Sequence, residues 1–393
     1  MLPYFFPETQ TKVGLSVSAD QSGNAFAGNR LLSVDILRAL AALLVVAGHI
    51  VQTSFPVHYQ WLEILWVTLA QGGVGLFFVV SGFCIHLPLA RADRTGVVAR
   101  VKIQPFFKRR FIRLYPVHFI VLVVSAICAT AMTINESYVS LLSEPTPVQF
   151  GLHIVMLHCF SRTAFFSINA VLWTLAFETH FYLLYPFYLS LRQRFGTISP
   201  IFVVLLLAGT LRIFLAYIKP ELNETDIFLN NVGYRWWEWL LGCLIAEIYP
   251  NFKRVAPWRR VVLLMTAAIL LGVILEIHGY LWIRAFVWPI LFGSILLVAL
   301  LIPDVKNIIA VLLGGIGLAS YSLYLTHPIA LHIATWIYSH HEVSDFLKLG
   351  IDLLAISMLT FLSYFLLERP LSRIARQTRI LESLCPPSGL KTS

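Results

Sequence analysis

Apolar residues come in long runs along most of this chain, and polar residues come in short blocks between them. A helix that crosses a bilayer takes about 20 apolar residues. Candidate runs lie at 36–54, 70–90, 111–134, 172–191, 200–218, 232–249, 261–276, 282–301, 308–335 and 346–368. Each is expected as a helix, because lipid leaves the backbone N–H and C=O groups no partner outside their own segment. The run "QFGLHIVMLHCF", 149–160, is too short to cross and reads as a re-entrant or interfacial piece of a long loop. The pattern predicts an all-α, polytopic membrane helix bundle of about ten transmembrane helices over residues 35–370. Residues 1–34 read as a loose polar cytoplasmic tail, and 371–393 as a basic and then disordered cytoplasmic tail. Residues 1–30 lack a basic region followed by an apolar core. They do not read as a cleaved signal peptide, and the first span is expected to direct insertion.

Composition agrees with this class. Of 393 residues, 58% are hydrophobic and 12% charged, too few charges to solvate a soluble surface. The net charge of +9 would suggest nucleic acid in a soluble protein; here it points to topology and to anionic groups at a membrane surface. With the N-terminus inside, inner loops and tails carry 21 of the 29 Lys and Arg, and outer loops carry only Arg162 and Lys219. That asymmetry predicts both termini in the cytoplasm. The five cysteines are scattered and form no CxxC pair, so neither a disulfide framework nor a metal site is indicated.

Ionisable residues inside the spans then carry the chemistry, because each is costly in lipid. In "LRALAALLVVAGHI", Arg38 and His49 are eleven residues apart. That spacing puts both side chains on one helix face, about 16 Å apart along the axis. Arg38 is expected near the inner surface and His49 in the outer half. Glu178 shares a face with Thr174, Tyr182 and Tyr185, while His180 points elsewhere. Glu178 is expected at roughly the depth of His49. Ser320, Tyr324 and His327 share a face of the ninth candidate span, which Pro328 is expected to bend. Arg212, Arg235, Glu238 and Arg284 also map to outer halves, which suggests an outer polar chamber. Arg109, Arg110 and Arg113 join Arg38 at the inner side, where clustered guanidiniums suit phosphate. Plain roles compete with each of these: snorkelling arginines, core histidines, and a structural hydrogen bond for Glu178. The glycine-rich "GGVGLFFVVSGFCI", 72–85, reads as close helix packing.

Seven stretches, in order, together resemble the acyltransferase-3 family of integral membrane acyltransferases: "DILRALAALLVVAGHI", "GVGLFFVVSGFCI", "KRRFIRLYP", "WTLAFETHFYLLYP", "RWWEWLLGCLIAE", "SYSLYLTHP" and "LLERP". The resemblance implies transfer of an acyl group, usually acetyl from acetyl-CoA, to a hydroxyl of a carbohydrate-type acceptor such as a surface polysaccharide, lipopolysaccharide or glycolipid. It implies acyl-CoA as co-substrate, no permanently bound cofactor, membrane lipids as surroundings and the bacterial inner membrane as location. The family's Arg-x10-His pair matches Arg38 and His49, its fourth-span carboxylate Glu178, and its late-span histidine His327. Ile36, Thr174 and Thr326 depart from the common residues. The fused hydrolase-like extracellular domain of some members is expected to be absent.

The resulting expectation is that Arg38, Arg109, Arg110 and Arg113 bind the coenzyme phosphates, with His49 as general base. Glu178 would orient that imidazole or bind the acceptor. His327 would join the catalytic group, and Thr174, Tyr182, Glu238, Ser320 and Tyr324 would contact substrate. A covalent acyl-enzyme on His or Ser stays open. A proton-coupled transporter or flippase needs similar buried groups, though no repeat relates the two halves. An inactive scaffold would tolerate loss of all of them.

Overall fold

The computed structural model describes residues 31–54, 60–94, 99–135, 138–218, 230–255, 281–301, 307–341, 343–378 and 381–383, with isolated positions between 263 and 274. These are helical almost throughout: α1 (Leu32–Ser54), α2 (Gln60–Arg94), α3 (Ile103–Ala131), α4 (Pro147–Ile154), α5 (Leu172–Phe195), α6 (Ile198–Ile218), α7 (Val232–Val255), α8 (Leu281–Leu301), α9 (Ile308–Leu318), α10 (Ser320–Ser339), α11 (Asp345–Ser363) and α12 (Arg369–Arg376). Two three-residue strands, β1 (Ala99–Val101) and β2 (Leu381–Ser383), pair antiparallel with Ala99 opposite Ser383.

Among the described residues, five stretches are long and apolar enough to cross a membrane. They lie in α1, α2, α3, α6 and the α11–α12 run, and the bent pair α9–α10 would make six. The helices α5 and α7 have the length, at 24 residues each. Their aromatic, hydroxyl and charged residues keep them below that apolar threshold. The expected tail at 1–30 and most of the run at 261–276 lie outside the described residues. The run at 149–160 forms no span. It holds the end of α4, an eight-residue helix of about 12 Å, and a short 3-10 turn at His158–Phe160. The start of α4 is set by sequence: Pro147 fits the first turn, and Thr146 and Gln149 exchange side-chain to backbone bonds.

At the centre, α2 packs on α1, α7 and α8. Glycine is required at these crossings. A Cβ on Gly82 would sit 1.9 Å from the Trp239 carbonyl oxygen, and one on Gly242 would sit 2.0 Å from that of Val79. Here α2 and α7 meet backbone to backbone, as small residues allow. Away from this centre, α6 and α11 present Leu207, Phe214, Leu354 and Met358 outward, the composition of a lipid face.

The bend expected at Pro328 lies elsewhere. The α9–α10 pair turns by 71° at Ala319, and Pro328 sits buried inside α10. Gly314, Gly315 and Gly317 weaken the helix just before the break. Gly317 also lies against the Asp35 carbonyl, with room for no Cβ. The fresh N-terminus of α10 is capped from a distance: Ser322 N donates to Glu368 Oε2 at 2.9 Å. Glu368 comes from a π-helical turn, Tyr364–Glu368, that links α11 to α12.

Candidate active site

Helical geometry carries Arg38 and His49 to the side of α1 that faces α10. Arg38 opens on a cavity of about 180 Å³ between α1, α2, α3, α5 and α10. Arg110 and Arg113 of α3 line it as well. Arg110 stacks over the rings of Phe106 and Tyr182, at 5.7 and 5.6 Å from their centroids. Buried Nε atoms of Arg110 and Arg113 have no hydrogen-bond partner among the described residues. Guanidiniums with donors to spare fit a phosphate group.

Glu178 and Tyr182 line the wall beside the arginines. Glu178 Oε1 accepts from Ser81 Oγ at 2.6 Å and from Tyr182 OH, and Trp239 Nε1 donates to Ser81 Oγ at 3.3 Å. One helical turn along α5, Thr174 Oγ1 and Tyr324 OH are hydrogen-bonded at 2.8 Å, and Phe77 packs edge-on against Tyr324. Ser320 also lines the cavity, fully buried, and its Oγ has no hydrogen-bond partner among the described residues.

The histidines lie beyond Tyr324. His327 is on the next turn of α10, its ring centroid 5.9 Å from that of Tyr324. His49 Nδ1 and His327 Nε2 are 2.9 Å apart, and the rings stack with centroids at 5.1 Å. His327 is fully buried and His49 nearly so. Their separation of 278 positions in sequence makes this a tertiary pairing that spacing along one helix does not reveal.

Most of the expected site therefore converges, with three differences. Glu178 keeps company with the arginines, not with His49: its turn of α5 lies about 6 Å along the axis from Thr174, toward Arg110. Glu238 is buried against Arg235, which donates from Nε and NH2 to its two carboxylate oxygens at 3.0 Å, and it does not line the cavity. Arg109, half-buried on α3, is not in the lining either. The outer chamber is likewise not what forms around Arg212 and Arg235. Arg212 stacks on Tyr234 at 4.6 Å, Arg235 lies over Phe78 and Trp173, and the side chain of Arg284 lies outside the described residues.

Residues not singled out from the sequence also contribute. Val74, Phe78, Ser81 and Ile85 of α2 line the cavity at helical spacing, with Cys84 beside them, while Gly75 and Gly82 lie against Phe292 and α7. The 3.6-residue period of this stripe was the available signal; the glycines drew attention to packing alone. Among the described residues, no group of three or more His, Cys, Asp or Glu could hold a metal ion.

The family model described as "Acyltransferase domain", of the acyltransferase-3 type, matches residues 31–368. The chain belongs to this family. It is similar to "O-acetyltransferase OatA" of Staphylococcus aureus strain NCTC 8325, at 26% identity over 373 residues, covering 87% of this chain and 57% of that protein. It is also similar to "Peptidoglycan O-acetyltransferase OatA" of Listeria monocytogenes serovar 1/2a, at 26% identity over 326 residues, covering 75% and 48%. The chain spans about half the length of these curated relatives. No solved structure matches it. Family membership accounts for the ordered set of stretches. It adds no geometry to the cavity, which rests on the contacts above.

Proposed function

We propose that this protein is an integral membrane O-acetyltransferase that moves acetyl from acetyl-CoA to a hydroxyl of a carbohydrate-type acceptor. One observation carries the reading: a cavity lined by Arg38, Arg110 and Arg113 leads along Glu178 to Tyr324, one turn from the His49–His327 pair. Coenzyme A has phosphates at one end and a thioester on a long arm, so its two ends call for cations and a base at separate places. The arginines would hold the phosphates. His49 would take the proton of the acceptor hydroxyl as it attacks the thioester carbon. Thr174, Tyr182, Ser320 and Tyr324 would hydrogen-bond the acyl group or acceptor, with Glu178 fixed by Ser81 and Tyr182.

The listerial relative's name points to peptidoglycan as one acceptor of this class, and lipopolysaccharide, exopolysaccharide and glycolipids share its sugar hydroxyls. The same reading places the chain in the bacterial inner membrane with ten spans and both termini in the cytoplasm, in line with the charge asymmetry. The test is acetyl transfer from labelled acetyl-CoA in membranes. His49→Ala is expected to lose about 10²- to 10⁴-fold in kcat at normal insertion. Full activity in that variant overturns the base assignment. Gradient-driven solute movement without consumption of acetyl-CoA overturns the enzyme.

A further inference from the structure

His327 is enclosed by α10 itself and by His49, and its two ring nitrogens have different partners. Nδ1 is 3.1 Å from the Leu323 carbonyl oxygen, and Nε2 is 2.9 Å from His49 Nδ1. A carbonyl oxygen only accepts, so His327 Nδ1 carries the hydrogen. In the neutral ring Nε2 is then bare and can only accept. His49 Nδ1 must therefore be the donor, which leaves His49 Nε2 as the bare nitrogen. No hydrogen bond to that atom occurs among the described residues. The hydrogen bond at one imidazole nitrogen sets which tautomer the ring adopts.

We infer that His327 is a positioning residue that locks His49 in the Nδ1–H tautomer and makes His49 Nε2 the base. This inference rests on the acyl-transfer reading above. In the reaction the acceptor O–H bond breaks, its proton goes to His49 Nε2, and the oxygen bonds to the thioester carbon. The Nδ1 proton can shift across the 2.9 Å contact to His327 Nε2, so the positive charge spreads over two rings. As the C–S bond breaks, the coenzyme thiolate takes the proton back from His49 Nε2, and the His327 Nε2 proton returns to His49 Nδ1. Net change is one acceptor O–H and one C–S bond lost, one C–O and one S–H bond formed.

The experiment compares His327→Leu, His327→Gln and His49→Ala for kcat and for the KM of acetyl-CoA. A glutamine side-chain oxygen reaches about where imidazole Nε2 sits and accepts from His49 Nδ1–H; leucine cannot. Expected are a loss of about 10²-fold in kcat for His327→Leu with KM little changed, and recovery to within about tenfold of wild type for His327→Gln. Wild-type kcat in His327→Leu alongside an inactive His49→Ala overturns this inference and leaves the acyl-transfer reading standing. Wild-type activity in His49→Ala overturns the base assignment itself. Where His327→Leu fails to insert, nitrogen-15 spectra of histidine-labelled wild-type protein decide. An Nδ1–H signal for His49, assigned by its loss in His49→Ala, supports the tautomer, and an Nε2–H signal overturns it.

Discussion

Two polar clusters hang on α2, barely one turn apart, and they are built on opposite principles. Near the end of the helix, His86 Nε2 meets Glu247 Oε1 at 2.8 Å, Arg192 Nε donates to the same oxygen at 2.8 Å, and Arg192 NH2 reaches Asp93 at 2.7 Å. Tyr185 OH occupies the remaining nitrogen of His86 at 3.0 Å. This network is closed: every ionised group has an opposite. In the cavity, by contrast, Arg110 and Arg113 keep buried donors that find no partner among the described residues, and neither does the Ser320 hydroxyl. Burying a charge or donor without a partner costs free energy, so such groups persist where a ligand completes them. Residue type does not separate the two clusters, since both hold Arg, Glu and Tyr. What separates them is whether the donors and acceptors are used up within the chain.

The sharpest way to break this contrast is to remove the open donors. Arg110→Gln combined with Arg113→Gln is expected to lower kcat/KM for acetyl-CoA by about 10²- to 10³-fold, from two charge-assisted contacts of about 2 kcal/mol each. Thermal stability of the detergent-solubilised protein should fall only modestly, because the chain loses the stacking of Arg110 on Phe106 and Tyr182 but, among the described residues, no direct ion pair of either arginine. A large fall in stability with unchanged kcat/KM would place these arginines with the closed cluster.

Both clusters depend on the same α2–α7 contact. Ser81 and His86 stand on one helix, Trp239 and Glu247 on the other. In Gly82→Ala the new Cβ meets the Trp239 carbonyl and no side chain can give way, so a loss of about 3 kcal/mol is expected. Gly151→Ala, with open space around it, is the matched control. Equal melting temperatures for the two variants would mean the helices are not in backbone contact. Glu247→Gln cuts only the closed network. It should cost about 2 kcal/mol of stability, since Arg192 and His86 lose their shared anion, with kcat/KM per folded molecule unchanged. A selective fall in kcat/KM would join this cluster to the catalytic machinery.

The sequence made the helices legible because lipid and helix period impose one pattern on every span. Arg38, Arg113 and Glu178 were legible for a related reason: an ionisable residue in an apolar run stands out. The partners were not. Whether Glu178 faces His49 or the arginines depends on how far α5 slides along α3, which no period within α5 records. Glu238 looks like a site residue in the sequence, but its mate Arg235 lies one turn back on the same helix and uses it up. Ser81 and Cys84 were hidden in a stretch whose glycines already had a reason to be there. The His49–His327 pair needed both the break at Ala319 and the capping of α10 by Glu368, and these arise from separate parts of the chain.

A pair of histidines outside the spans tests burial alone, because neither ring nitrogen of His158 has a hydrogen-bond partner among the described residues. His153 and His158, in the loop that carries α4, stack nearly parallel with ring centroids 3.8 Å apart, and both are fully buried. Burial holds His153 down to about 4. Burial, then the neighbouring His153 and His118 rings, hold His158 down to about 2. The folded protein thus keeps both rings neutral at pH values where the unfolded chain, with pKa near 6.5, takes up protons. Their contribution is full above pH 6.5 and is lost as pH falls below it. Between pH 7 and pH 5.5 each ring should remove about 1 kcal/mol of stability. His158→Phe keeps an aromatic ring on His153 and removes one titrating group, so its stability should fall less steeply over that interval. A melting temperature that drops with pH as steeply in His158→Phe as in wild type would show that the His158 ring is not held neutral by its burial.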